Sequence, residues 1–330
     1  MVIHICALLK SNYLKSCSNV FTLEAIIKKE PNAGLLITFF QFLFITLEGL
    51  FFHFFSTSTF LIKRNIPLYR WLIIVSLFFT SSFLNNKAYS YGISIPMHII
   101  TQSGGILITV IFGWLYANKK FNTREILAVI ILTLGVTITN LSNVPNKHSS
   151  KLSVLKYTTG VIILVICQIL RSFMSVYMEK TFKLYSPSWK EVNFYMHFFS
   201  LLFYIPIFPK IYSQTKLLFS YKTPLTSQII DTFSYKSSIF SKFKNLKISN
   251  YTFYLANAIT QSLCVQGINR LNVISTALTA NIVLSLRKFV SLILSIYIFE
   301  NEISLETIFG TILVFTGGIW YSIELHKKTK

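Results

Sequence analysis

Acidic side chains are scarce in this chain. Asp and Glu number 11 among 330 residues, and Asp231 is the only aspartate. That scarcity argues against a metal-dependent transferase, whose cation would need carboxylate ligands. The four cysteines, Cys6, Cys17, Cys167 and Cys264, lack CxxC spacing and lie in or near apolar runs. A zinc site or a disulfide framework is therefore not expected, and free buried thiols are. No His/Cys cluster has metal-ligand spacing, and neither a G-x-S-x-G elbow nor a Gly-rich phosphate loop occurs. The chain does not read as an enzyme, and no cofactor is expected. Charged residues of both signs make up 13% of it, about half the usual share of a soluble domain.

What is abundant is apolar. Hydrophobic residues form 53% of the chain, with 31 Phe and 17 Tyr, in runs that recur along its length. The expectation is an all-α polytopic membrane protein. Its net charge is +20. Most cations fall in short segments between apolar runs, where they set topology and meet lipid headgroups, so nucleic acid is not an expected partner and membrane lipid is.

Ten transmembrane helices are expected, at about 2–27, 34–55, 68–86, 93–117, 124–142, 155–178, 192–212, 250–270, 272–299 and 304–323. Each is long enough for about 30 Å of hydrocarbon with some tilt. The first is the weakest, because Lys10 and Lys15 interrupt it; the same interruption argues against a cleaved leader. Residues 143–154, "NVPNKHSSKLSV", read as a midpoint linker, and 213–249 as a long polar loop rich in Ser and Lys.

A repeat organises these spans. "ANKKFNTREILAVIILTLGV" (117–136) aligns with "FENEISLETIFGTILVFTGG" (299–318) at a constant offset of 182, pairing Phe121 with Ile303, Glu125 with Thr307, Ala128 with Gly310 and Gly135 with Gly317. Residues 1–142 and 155–330 then form two five-helix repeats. An odd number of spans per half inverts the second against the first, the plan of many secondary transporters, whose site lies at the midplane. Gly104, Gly105, Gly113, Gly310, Gly317 and Gly318 suit close helix packing; hinging is the other reading. With the long loop set aside, the cation count favours cytosolic termini. "HKKTK" at the end resembles a di-lysine retrieval signal through Lys327 and Lys328; a basic anchor for the last helix is the alternative.

Polar side chains within spans are functional candidates: Glu48, Asn85, Asn86, Lys87, His98, Gln102, Gln168, Arg171, Tyr195, His197, Asn257, Gln261, Asn281, Arg287 and Lys288. Arg287 and Lys288 stand out in "ANIVLSLRKFVSLILSIYIF" (280–299). At about 1.5 Å per residue they lie roughly 10–13 Å inside it, where a cation costs on the order of 3 kcal/mol or more. They have no acidic residue at i±4. Glu48 could pair with one, which leaves a cation over and implies an external anion. A phosphate suits them, since Arg binds in bidentate fashion and Lys acts as a point charge. His98 and His197 are solitary, and hydrogen-bonded packing is the ordinary reading for each.

Seven stretches carry a family resemblance: "CSNVFTLE" (17–24), "FLFITLEG" (42–49), "NNKAYSYGISIPMHII" (85–100), "ANKKF" (117–121), "KEVNFYMH" (190–197), "NAITQSLCVQG" (257–267) and "SLRKFVSLILSI" (285–296). In order and over nearly the whole chain, they resemble the nucleotide-sugar transporters of the drug/metabolite transporter superfamily. The similarity is strongest to the branch that carries UDP-N-acetylglucosamine and UDP-xylose. The resemblance implies ten helices in inverted halves, and antiport of a UDP-sugar into the lumen of the endoplasmic reticulum or Golgi against UMP. It implies that Lys288, with Arg287, holds the phosphates, and that Tyr195 and His197 lie near uracil. Asn257 and Gln261 would line the cavity, with Glu48 beside a cation or the ribose and Asn86, His98 and Gln102 nearby. Two positions depart from the family: Met196 stands where Asn is common, and Gln102 where a basic residue is common, a charge that Lys87 is expected to supply instead. Other cargoes are UDP-glucuronate or ATP/ADP. A non-transporting scaffold that binds anionic lipid is the alternative of another class. The sequence leaves monomer and homodimer both open.

Overall fold

The computed structural model describes residues 34–57, 63–89, 91, 93, 95–141, 151–220, 250–286 and 305–329. Among these, the chain is helix and connecting turn, with no strand. The helices are α1 (Gly34–Thr57), α2 (Leu68–Tyr89), α3 (Ile95–Leu115), α4 (Thr123–Leu141), α5 (Lys151–Tyr185), α6 (Trp189–Leu202), α7 (Phe208–Ser220), α8 (Asn250–Ile274), α9 (Ala277–Leu286) and α10 (Leu305–Thr329). Helix is the form these apolar runs must take in hydrocarbon, because it satisfies every backbone polar group within the segment.

Three of the described helices are long and apolar enough to cross a membrane: Gly34–Phe55, Leu68–Ala88 and Leu155–Tyr185. A fourth span results if α6 and the helix that follows it are counted as one bent element. Many large apolar side chains stand exposed, among them Phe55 at 72% and Trp114 at 64%. An outer surface of this kind suits lipid rather than water.

Several boundaries differ from the sequence expectation, α8 and α10 running on to Ile274 and Thr329 among them. The span expected at 192–212 is not straight: it bends by 48° between Trp189–Leu202 and Ile205–Lys216. Pro206 and Pro209 remove two backbone donors there. A 3-10 turn at Ile205–Ile207 covers the break, with Tyr204 N–H donating to Leu201 O at 3.0 Å and Ile207 N–H to Tyr204 O at 3.0 Å. The ninth span begins at Ala277 rather than 272, because Thr276 Oγ1 accepts from Thr279 N–H at 3.2 Å as a helix cap. Finally, α5 outruns the expected 155–178 at both ends. Residues 2–27, 143–150 and 221–249, which carry the expected first span and most of the linker and long loop, lie outside the described residues.

Packing groups the chain into two compact units, one from 1–75 and 185–273, the other from 76–184 and 274–330. In the first, α1 packs on α6, where Phe194 lies 3.1 Å from the place a Cβ on Gly49 would take. In the second, α4 packs on α10 with almost no space between backbones. A Cβ on Gly135 would lie 2.7 Å from Val314 N and 2.8 Å from Gly310 O; one on Gly317 would lie 2.7 Å from Leu132 N and 2.9 Å from Ala128 O. The offset of 182 maps 128, 132 and 135 onto 310, 314 and 317, so this contact maps onto itself.

Candidate functional site

Helix α8 carries the densest row of polar side chains. Asn257 is buried, and its Oδ1 accepts from Gln41 Nε2 of α1 at 2.7 Å. One turn on, Gln261 shares that face and is half-buried. Ser262, Gln266 and Asn269 share a second face. The Ser262 hydroxyl and the Gln266 amide, the latter at 3.0 Å, each donate to one oxygen of Glu48. Asn269 Nδ2 donates to Asn193 Oδ1 of α6 at 3.0 Å. The intramembrane carboxylate of Glu48 is thus solvated by two neutral donors, in bonds strengthened by its charge. The sequence pointed to Glu48, Asn257 and Gln261; Gln41, Asn193, Ser262, Gln266 and Asn269 were missed, although the stretch "NAITQSLCVQG" already contains two of them.

Helix α6 opens with Ser188 as its cap, accepting from Glu191 N–H at 3.1 Å. Glu191 is fully buried, and its Oε1 accepts from the backbone N–H of Asn65 at 2.8 Å and of Ile66 at 3.0 Å. That bond pair fixes the turn before α2 against the start of α6. Further along, the Tyr195 ring lies 5.8 Å from Trp71. His197 is buried, with Nδ1 2.6 Å from the carbonyl of Asn193 and its ring edge-on to Phe42 at 5.1 Å. A carbonyl can only accept, so Nδ1 carries the proton and donates. Tyr195, Met196 and His197 are all buried within this packing.

Helix α9 is fixed at its start. The N–H of Ala277 donates to Glu179 Oε2 of α5 at 2.8 Å. The same carboxylate takes Lys119 Nζ at 2.6 Å from the α3–α4 turn and Lys183 Nζ at 2.8 Å from one turn along α5. Further along α9, Thr279 Oγ1 lies 3.3 Å from the Tyr321 hydroxyl of α10, and Asn281 Nδ2 donates to Thr109 Oγ1 of α3 at 2.8 Å. Three helices therefore hold α9 directly before Arg287 and Lys288, which themselves lie outside the described residues. Lys87 is exposed and Asn86 half-buried at the end of α2. His98 and Gln102 lie on α3, with side chains outside the described residues. Glu179 was missed from sequence. The signal was its rarity, since one carboxylate beside Lys183 at i+4 in so basic a chain invites a partner. Among the described residues no three His, Cys, Asp or Glu side chains converge as a metal site.

The profile of the UAA transporter family matches residues 5–325. The chain belongs to that family. It is 38% identical to a UDP-N-acetylglucosamine transporter of Schizosaccharomyces pombe, over 93% of this chain and 91% of that one. It is 30% identical to a UDP-xylose and UDP-N-acetylglucosamine transporter of Danio rerio, over 94% and 91%. A third relative, an endoplasmic reticulum GDP-fucose transporter of Drosophila melanogaster, is 32% identical over 94% and 88%. A solved crystal structure superposes with a TM-score of 0.62 over 97% of this chain and 99% of that one, at 11% identity, a likeness of fold alone. The family is one of nucleotide-sugar transporters, and its members named here are carriers rather than enzymes.

Proposed function

We propose that the protein exchanges a UDP-sugar, UDP-N-acetylglucosamine foremost, for UMP across the membrane of the endoplasmic reticulum or Golgi by alternating access. The observation that carries this reading is the 38% identity, over 93% of the chain, to a transporter named for that sugar. In this reading ten spans form two inverted halves, 1–142 and 155–330, and the reciprocal Gly135/Gly317 contact supports the inversion. Both termini are cytosolic. Arg287 and Lys288 neutralise the diphosphate, and without an anion they stay uncompensated. That penalty disfavours closure of the empty carrier and makes exchange obligatory. Tyr195 and His197 lie toward the base, Asn257 and Gln261 toward the cavity, and Glu48 toward a cation or the ribose. Lys87 supplies the charge that Gln102 lacks, and replacing Lys87 with Ala should then slow uptake.

Counter-flow uptake of labelled UDP-N-acetylglucosamine into liposomes preloaded with UMP tests the reading. Wild type should accumulate label, and Lys288→Ala should lose uptake while still folding and reaching the membrane. Near-normal exchange by Lys288→Ala would remove phosphate binding from that residue, and no uptake by wild type would remove the function. The relatives named for UDP-xylose and GDP-fucose bring a second reading of the cargo. Competition by UDP-xylose, UDP-glucuronate, GDP-fucose and ATP in the same vesicles separates these.

A further inference from the structure

Arg171 lies near the middle of the apolar stretch Leu155–Tyr185 of α5. The apolar run extends about 24 Å before it at about 1.5 Å per residue, and Glu179 and Lys180 follow it by eight and nine residues, about 12–14 Å. It does not face lipid. Ile162, Val165, Ile166 and Ile169 are 41–54% exposed and mark the lipid-facing stripe of α5, and at 3.6 residues per turn Arg171 projects from the opposite side. Its neighbours on that side are buried contacts with other helices. Cys167 Sγ donates to Ser81 O of α2 at 3.0 Å, Ser172 Oγ donates to Gly105 O of α3 at 3.0 Å, and Gln168 lies directly over Gly105. Arg171 itself is only half-buried. It thus keeps accessible surface on the side of α5 away from the lipid-facing stripe.

No described carboxylate answers it. Glu48 is held by Ser262 and Gln266, Glu125 accepts from Asn122 N–H, and Glu179 is shared by Lys119, Lys183 and Ala277. Glu191 accepts from Asn65 and Ile66, Glu324 pairs with Lys327, and Glu306 stands exposed in the first turn of α10. Among the described residues Arg171 has no hydrogen bond or ion pair. A cation inside a membrane protein that no described carboxylate answers is a candidate functional group.

We propose that Arg171 is an anion-binding residue of an internal cavity, its planar guanidinium taking phosphate oxygens of a phosphate-bearing ligand. The identity of that ligand as a nucleotide rests on the proposed function; the anion subsite does not.

The test uses the purified full chain, with inorganic pyrophosphate, UDP and uridine as probes, read by equilibrium binding and by thermal midpoint. Pyrophosphate and UDP should stabilise wild type. Arg171→Gln should weaken both by about tenfold or more, with no such loss for uridine, while Arg171→Lys should retain most of the affinity. Ligand-free Arg171→Gln should be at least as stable as wild type, because an unmatched cation has gone. Unchanged pyrophosphate binding by Arg171→Gln overturns the proposal, as does absent pyrophosphate binding by wild type. A ligand-free Arg171→Gln that is less stable than wild type, or does not fold, also overturns it by marking a structural ion pair. If wild type exchanges no nucleotide yet binds pyrophosphate through Arg171, the proposed function falls and this inference stands. If wild type exchanges UDP-sugars and Arg171→Gln binds pyrophosphate like wild type, the inference falls alone.

Discussion

In the unit built from 1–75 and 185–273, helices are tied by side-chain groups: Gln41 to Asn257, Asn193 to Asn269, and Glu48 to Ser262 and Gln266. In the unit built from 76–184 and 274–330, α4 and α10 meet backbone to backbone at Gly135 and Gly317. Both answer the same problem. Lipid is as apolar as leucine, so helices in a membrane associate through packing and interhelical hydrogen bonds rather than hydrophobic burial. The answers differ in tolerance. A long amide can lose its partner and find another, whereas a glycine against a backbone has no slack. The first unit should therefore weaken gradually under substitution and the second abruptly.

Four experiments would break or sharpen this contrast. The largest effect is expected at the glycine seam. Gly135→Ala and Gly317→Ala each place a methyl within 3 Å of backbone atoms, and each should cost about 1–3 kcal/mol, with the double variant worse than either, read as a drop in thermal midpoint. Neutral behaviour at both positions would end the contrast. Next comes Glu179→Ala, which strands the Ala277 N–H and frees Lys119. Its cost should be about 2 kcal/mol, and hydrogen exchange should quicken at the start of α9 and in the α3–α4 turn. A smaller effect is expected for Asn193 and Asn269, where a double-mutant cycle should give a coupling of about 0.6 kcal/mol; a value several times larger would make the amide ties as stringent as the seam. The smallest belongs to Gly104→Ala, since a Cβ there meets nothing within 4 Å. It should change stability by under about 1 kcal/mol in the favourable direction, and a clear loss would mean that crowding is not what makes the seam brittle.

Much of the helix pattern was legible because long apolar runs separated by polar turns leave few alternatives. The starts of α1, α2 and α8 fall where the runs begin. The bend between α6 and α7 was hidden by the apolar residues around Pro206, and the start of α9 lay at Ser275–Thr276, a polar pair short enough to be read as part of a span. Gly135 and Gly317, paired by the offset of 182 in the sequence, are the two glycines at the close contact of α4 with α10. The candidate site was legible by residue type and not by partner. Glu48 and Asn257 could be singled out as rare polar groups, but the Gln41–Asn257 bond spans 216 positions, and no local spacing encodes it. Glu191 lies in the first turn of its helix, where an acidic residue is ordinary, so nothing in its immediate sequence distinguished a buried carboxylate that accepts backbone N–H bonds from a solvated one, and Glu179 had only Lys183 at i+4 to mark it.

Glu179 joins three stretches of chain at one knot: its own helix, the turn carrying Lys119, and the first residue of α9. Residues 119 and 277 are far apart on a linear map and neighbours through that carboxylate. In a genetic screen, loss of Lys119 and a proline at 277, which removes the backbone donor, would fall into one class.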